Sequence, residues 1–339
     1  MGYPRRRHRS HPPALRGVLK WVAAACAILA ATAAAAAQRY QFELSGQRCF
    51  GAAARDPQQP CRNPKLTFSV TPTPAQALIT PSPTCLDVIR TPVLSICLFG
   101  PRSPVATRNF AIIGDSHAFH WKGAVQILAR ENQWRGASIT HTSCPFTIGT
   151  PLLPGTLGAD CVTRNRAIVA WFQTQPQINT VFVSEHVGAR VADLPGQSPQ
   201  EAEIAGYIGG WNALPPTVRH IIVIRDTPLN RSDTLDCVQT AVARHQRAGI
   251  VCAMPRQRAL KPDAAVIAAK RLRSPRVHVV DLTPFFCDSR LCYPVVGGAL
   301  VYRDIGHLTD VFSTSLGPYL RRGVNHFIPR SAQVRPYTR

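Results

Sequence analysis

Acidic residues are scarce in this 339-residue chain: 18 Asp and Glu stand against 39 Lys and Arg, a formal net charge of +21. None of those acids falls within residues 1–37. Lysine is scarce as well, with 5 residues against 34 Arg. A cationic excess of this size suits an anionic partner such as nucleic acid, a membrane surface or an acidic polymer. The basic residues are scattered, however, and no aromatic-and-basic stripe accompanies them, which argues against nucleic-acid binding. What remains is an Arg-rich composition attracted to an envelope surface. The chain also lacks Cys-x-x-Cys and His-Glu-x-x-His spacings, so no metal and no cofactor is expected. No internal repeat is present.

Long apolar runs are absent but for one. A basic stretch (Arg5, Arg6, Arg7, Arg9, Arg16, Lys20) leads into the uncharged, Ala-dominated segment Trp21–Ala37. Ala35-Ala36-Ala37 before Gln38 offers a small-residue cleavage site, and the run is also about the minimum length for a bilayer span. Residues 1–37 therefore read as a signal peptide or a membrane anchor. Either way positive charge stays inside and the body is exported, to the periplasmic or extracellular face, anchored through residues 21–37 on the second reading.

Eleven cysteines agree with export. Cys26 lies in the apolar run. The other ten fall as close neighbours: Cys49/Cys61, Cys85/Cys97, Cys144/Cys161, Cys237/Cys252 and Cys287/Cys292. Even number and short spacing fit an oxidising compartment. Spacing does not fix connectivity; nearest-neighbour pairing is the expectation.

Residues 38–105 are rich in Pro, Gln, Thr and Ala, and read as an irregular, disulfide-bonded linker. From Phe110 apolar runs of strand length alternate with amphipathic stretches: Phe110–Gly114, Ala137–Thr142, Thr180–Ser184, His220–Arg225 and Val277–Leu282 as strands. Helices are predicted over 117–133, 161–173, 199–214, 234–247, 264–273 and 309–321. That alternation predicts an α/β domain over residues 106–325, with a parallel sheet covered on both faces and its site beyond the carboxyl ends of the strands. Residues 326–339 form a tail.

Gly114-Asp115-Ser116-His117 stands where a strand hands over to a helix. Gly permits the turn, and Ser116 at a helix start exposes a hydroxyl and points its backbone N–H towards a developing oxyanion. Ser and Asp are also ordinary helix caps. A second element raises the significance of the first: Asp304 and His307, three apart in Tyr302-Arg303-Asp304-Ile305-Gly306-His307-Leu308-Thr309. A serine hydroxyl needs a base to attack, and the base needs a carboxylate to orient it. Ser116 as nucleophile, His307 as base and Asp304 as its orienter make one set. Other candidates have blander alternatives: a metal cluster of His117, His120, His141, His186 and His307, or scattered structural histidines; Asp226 lining the site or capping; Trp211 and Tyr302 stacking on sugar or packing in the core; Arg190 and Arg303 meeting anionic glycan or solvent.

With these residues in place, the chain resembles the SGNH hydrolase superfamily, and specifically the extracytoplasmic SGNH domain of acyltransferase-three (OafA-like) O-acyltransferases. The resemblance rests on Cys97-Leu98-Phe99-Gly100, Ile113-Gly114-Asp115-Ser116-His117-Ala118, Ser143-Cys144-Pro145, Cys287/Cys292 and the Tyr302–Thr309 block, across roughly residues 85–322. It implies a three-layer α/β/α (flavodoxin-like) domain and an O-acyltransferase or acylesterase for O-acetyl groups, acting on cell-envelope glycan through an acyl-enzyme. A separate membrane acyltransferase is an implied partner, because this chain has at most one membrane segment. One departure stands out. The superfamily's oxyanion hole also uses Gly and Asn, yet after the third strand this chain reads Ser184-Glu185-His186-Val187-Gly188, without Asn, leaving the second donor unassigned. That departure keeps a second expectation open, a non-catalytic glycan-binding or scaffold subunit on the same framework.

Overall fold

A computed structural model describes residues 47–79, 85–102, 105–192 and 196–328. The Trp21–Ala37 segment lies outside them. Among the described residues no helix is long and apolar enough to cross a membrane.

The fold is a seven-stranded sheet between helical layers. Its strands are β1 (Asp87–Arg90), β2 (Ser95–Phe99), β3 (Arg108–Gly114), β4 (Trp134–Thr140), β5 (Ile178–Ser184), β6 (His220–Ile224) and β7 (Val277–Val280). Spatial order is β1-β2-β4-β3-β5-β6-β7. All contacts from β4 to β7 are parallel. β1 and β2 join antiparallel at the β4 edge. The chain order thus reverses between β3 and β5, which opens a crevice beyond their carboxyl ends.

Strand alternation sends one set of side chains to each face. Ala111, Ile113, Val181, Val183, Ile221 and Val223 meet α3 (Leu157–Gln173), α4 (Pro199–Ala213) and α6 (Ala264–Leu272) in one apolar core. Phe110, Ile112, Phe182 and Ile222, equally buried, face the other way. That layer holds α2 (Lys122–Asn132) and the last helix, α7 (Asp310–Asn325). The two approach closely: a Cβ on Gly317 would fall 2.4 Å from Ile127 Cβ. Short α1 (Ser116–His120) precedes α2, and α5 (Thr234–Ala243) follows the β6 loop.

The predicted strands and helices are all present, shifted by a few residues at their ends. β1 and β2 are the difference: residues 87–99, read as irregular, extend the sheet. Every β1 side chain is exposed, so no apolar alternation marks it, and it is defined by pairing with β2. The Cys85–Cys97 disulfide closes that hairpin. The other disulfides join Cys49–Cys61, Cys144–Cys161, Cys237–Cys252 and Cys287–Cys292. Ten cysteines so joined belong to an oxidising compartment, outside the cytoplasm.

Candidate active site

β3 ends at Gly114, whose φ of 132° is one that L side chains rarely adopt; a Cβ there would sit 2.5 Å from the Ser184 carbonyl oxygen. Only Gly therefore lets the chain leave β3 hard against β5 and turn into α1. Asp115 caps that helix. Its Oδ1 accepts the His117 N–H at 2.7 Å, and its Oδ2 accepts the His186 N–H at 2.9 Å. One carboxylate thus clamps the loops after β3 and β5 together. Burial pushes the Asp115 carboxyl up, against the pull of His117 and these N–H donors.

Ser116 begins α1, and its Oγ lies 2.8 Å from His307 Nε2. His307 Nδ1 lies 2.8 Å from Asp304 Oδ2. Asp304 Oδ1 accepts the N–H groups of Gly306 and His307, at 2.9 and 2.7 Å. Burial raises the Asp304 carboxyl, but the His307 hydrogen bond and these two amides outweigh it and hold it well below the usual range. With the carboxylate accepting at Nδ1, the Nε2 lone pair faces the serine hydroxyl. The turn is fixed from behind: Thr227 Oγ1 donates to the Gly306 carbonyl at 2.8 Å, and Asn230 N–H donates to that of Ile305. Thr309 then caps α7.

Beneath this set lies a second His–Asp pair. His117 Nδ1 is 2.5 Å from Asp226 Oδ1, and both side chains are almost wholly buried. Burial pulls the His117 imidazole down, but the Asp226 carboxylate overrides it and the net shift is upward. The His117 ring contacts those of His307 (4.7 Å between centroids), His186 (4.3 Å) and His120 (4.9 Å). Four of the five sequence-selected histidines thus meet. His141 stands apart, exposed, with its ring on the Thr142 carbonyl. His120 is buried, held well below its ordinary value by that burial, and neither ring nitrogen has a partner. Although His117, His186 and Asp226 can bring ligand atoms within 4.8 Å of one another, Asp226 already accepts from His117, Thr227 N–H and Val187 N–H. Three donors share its two oxygens, which fits a hydrogen-bonded pair better than a cation site.

The remaining candidates resolve simply. Trp211 and Tyr302 are core residues, 1% and 0% exposed. Arg190 pairs with Glu203 at 2.9 Å. Asp226 neither caps a helix nor lines the surface; it holds His117. Its partnership, across 109 residues, carries no local sequence signal.

The structure thus sets a serine, a histidine and a carboxylate in hydrogen-bonded series at the switch point of a doubly wound α/β sheet. The chain belongs to the SGNH domain family: the profile described as "SGNH domain (fused to AT3 domains)" matches residues 84–322. Among solved structures, the periplasmic domain of the lipopolysaccharide acetyltransferase of Salmonella ser. Paratyphi A is similar at 15% identity and a TM-score of 0.49, over 66% of this chain and 84% of that one. No curated protein matches the chain.

Proposed function

We propose that this chain is an extracytoplasmic serine O-acyltransferase or acylesterase, acting on O-acetyl groups of cell-envelope glycan. The observation that carries the reading is the continuous hydrogen-bond series Ser116 Oγ–His307 Nε2 and His307 Nδ1–Asp304 Oδ2. Ser116 Oγ attacks the acyl carbonyl while His307 Nε2 takes its proton and Asp304 stabilises the imidazolium. The tetrahedral intermediate expels the alcohol, which leaves with the proton returned by His307. The acyl-enzyme then passes its acyl group to a sugar hydroxyl or to water, again with His307 as base.

Family context favours the transfer branch. Its members are described as fused to AT3 domains. On this reading a separate membrane acyltransferase supplies the acyl group, and residues 21–37 hold the chain at the membrane beside it. The catalytic body is residues 106–325, with the β1–β2 hairpin extending its sheet.

A serine-directed fluorophosphonate together with turnover of an aryl acetate tests this. Labelling at Ser116, and loss of both labelling and turnover in Ser116→Ala, are expected. Absence of labelling in folded protein would instead favour a glycan-binding scaffold.

A further inference from the structure

We propose that the imidazole of His186 is the second hydrogen-bond donor to the acyl oxyanion, beside the backbone N–H of Ser116. The proposal rests on the acyl-ester reading above. A tetrahedral intermediate concentrates negative charge on one oxygen, and preorganised donors at that oxygen carry much of the catalysis. A single backbone amide leaves it half served.

Several of the neighbouring amides are committed elsewhere. Asp115 N–H donates to Glu185 Oε2, His117 N–H and His186 N–H to Asp115, and Val187 N–H to Asp226 Oδ2. Gly306 and His307 N–H both serve Asp304. With these amides engaged, a side chain is the candidate donor. Trp121 Nε1 is bound to Ser184 Oγ, and Asn165 Nδ2 to the carbonyls of Pro145 and Thr147. His117 gives Nδ1 to Asp226, and its ring lies against Gly306, where an added Cβ would meet Cε1 at 3.1 Å. The His120 nitrogens are sealed from solvent and substrate alike.

His186 is left, half-buried, its ring nitrogens without a hydrogen-bond partner among the described residues. Its placement follows from register. Gly114 and Ser184 face each other on neighbouring parallel strands, so Ser116 and His186 each stand two residues beyond a paired position. Strands at that spacing are about 5 Å apart. The Asp115 carboxylate prevents the two loops from splaying. The ring rests on His117, which in turn contacts His307. Gly188 makes room for it: a Cβ there would fall 2.6 Å from His186 Cε1. Burial, with the charge of His117, holds the His186 imidazole below its ordinary value. It is therefore neutral at neutral pH and keeps one N–H to donate, as an uncharged histidine can at a carbonyl.

The test compares two nearly isosteric variants, His186→Asn and His186→Leu, with Ser116→Ala as control, on an aryl acetate, each checked by thermal melting. The expected result is a loss of about 10²–10³ in kcat for His186→Leu with KM little changed. His186→Asn, which keeps an N–H, should stay within about tenfold of the parent. Equal kcat in the two variants, whether both high or both low, would overturn the donor role while leaving the triad intact. Turnover that survives Ser116→Ala would sink the acyl-ester reading and the donor role with it.

Discussion

His117 Nδ1 and Asp226 Oδ1 meet at 2.5 Å inside the protein, directly beneath the ring of His307. Removing one member strands the other, because a buried charge without its partner costs far more than the pair contributes. Asp226→Ala should therefore lower stability by about 3–5 kcal/mol. The folded pKa of His117 is raised, so the pair's contribution is full below the ordinary histidine value of about 6.5 and is lost as pH rises through the folded value. The surrounding groups His120, His186, His307, Asp115 and Asp304 stay in place in His117→Asn. Urea unfolding from pH 5 to pH 9 should show that decline in the parent and a flatter profile in His117→Asn.

Asp304→Asn tests how much the orienting carboxylate contributes. An amide can present its N–H to Nδ1, which stabilises the wrong tautomer and points a proton at Ser116. A fall of about 10²–10⁴ in kcat is expected, with the fold unchanged. Because the residues act as a unit, adding Ser116→Ala should cost little more than Ser116→Ala alone. An additive double variant would show that Asp304 acts independently of the serine.

Lys122 is buried on α2, its Nζ 3.1 Å from Cys97 Sγ, and burial lowers its ammonium to about 8 despite the opposing pull of Asp310. The folded value lies below the unfolded one of about 10.4, so the unfolded chain binds more protons between them. Stability should thus rise with pH across that window. Lys122→Met should raise stability at pH 7, by about 1–2 kcal/mol, and abolish the rise. Denaturant midpoints measured at pH 7, 8.5 and 10 check both points.

The Cys144–Cys161 bridge pins the loop that supplies the Phe146 N–H to Glu185 Oε1, at 3.0 Å, beneath the site. Replacing both cysteines by Ala should cost about 2–4 kcal/mol, read as a lower urea midpoint. Aryl-acetate turnover should fall less than stability, since the bridge touches neither Ser116 nor His307.

The legible parts of this molecule share a physical reason. β3, β5 and β6 are buried on both faces, so their apolar runs stood out, and the Gly114–His117 and Asp304–His307 turns each carry their chemistry within a few residues. The rest depends on partners distant in sequence. β1 has no apolar face and exists through its pairing with β2. Asp226 looks like any strand-end acid until the fold brings His117 to it. In the sequence His186 is one scattered histidine and the missing Asn a separate fact; only the pairing of Gly114 with Ser184 joins them.

Ser116 and His307 are separated by 191 residues, and the turn bearing the base immediately precedes the last helix. A polypeptide emerging N-terminus first presents Ser116 well before His307. On the proposed chemistry every partial length up to residue 306 lacks its base, and the site is whole only once α7 has docked onto α2. On that chemistry, nucleophile and base belong to segments that only the folded sheet brings together, and a single cut between β7 and α7 would sever the chain that joins them while leaving Ser116 in place.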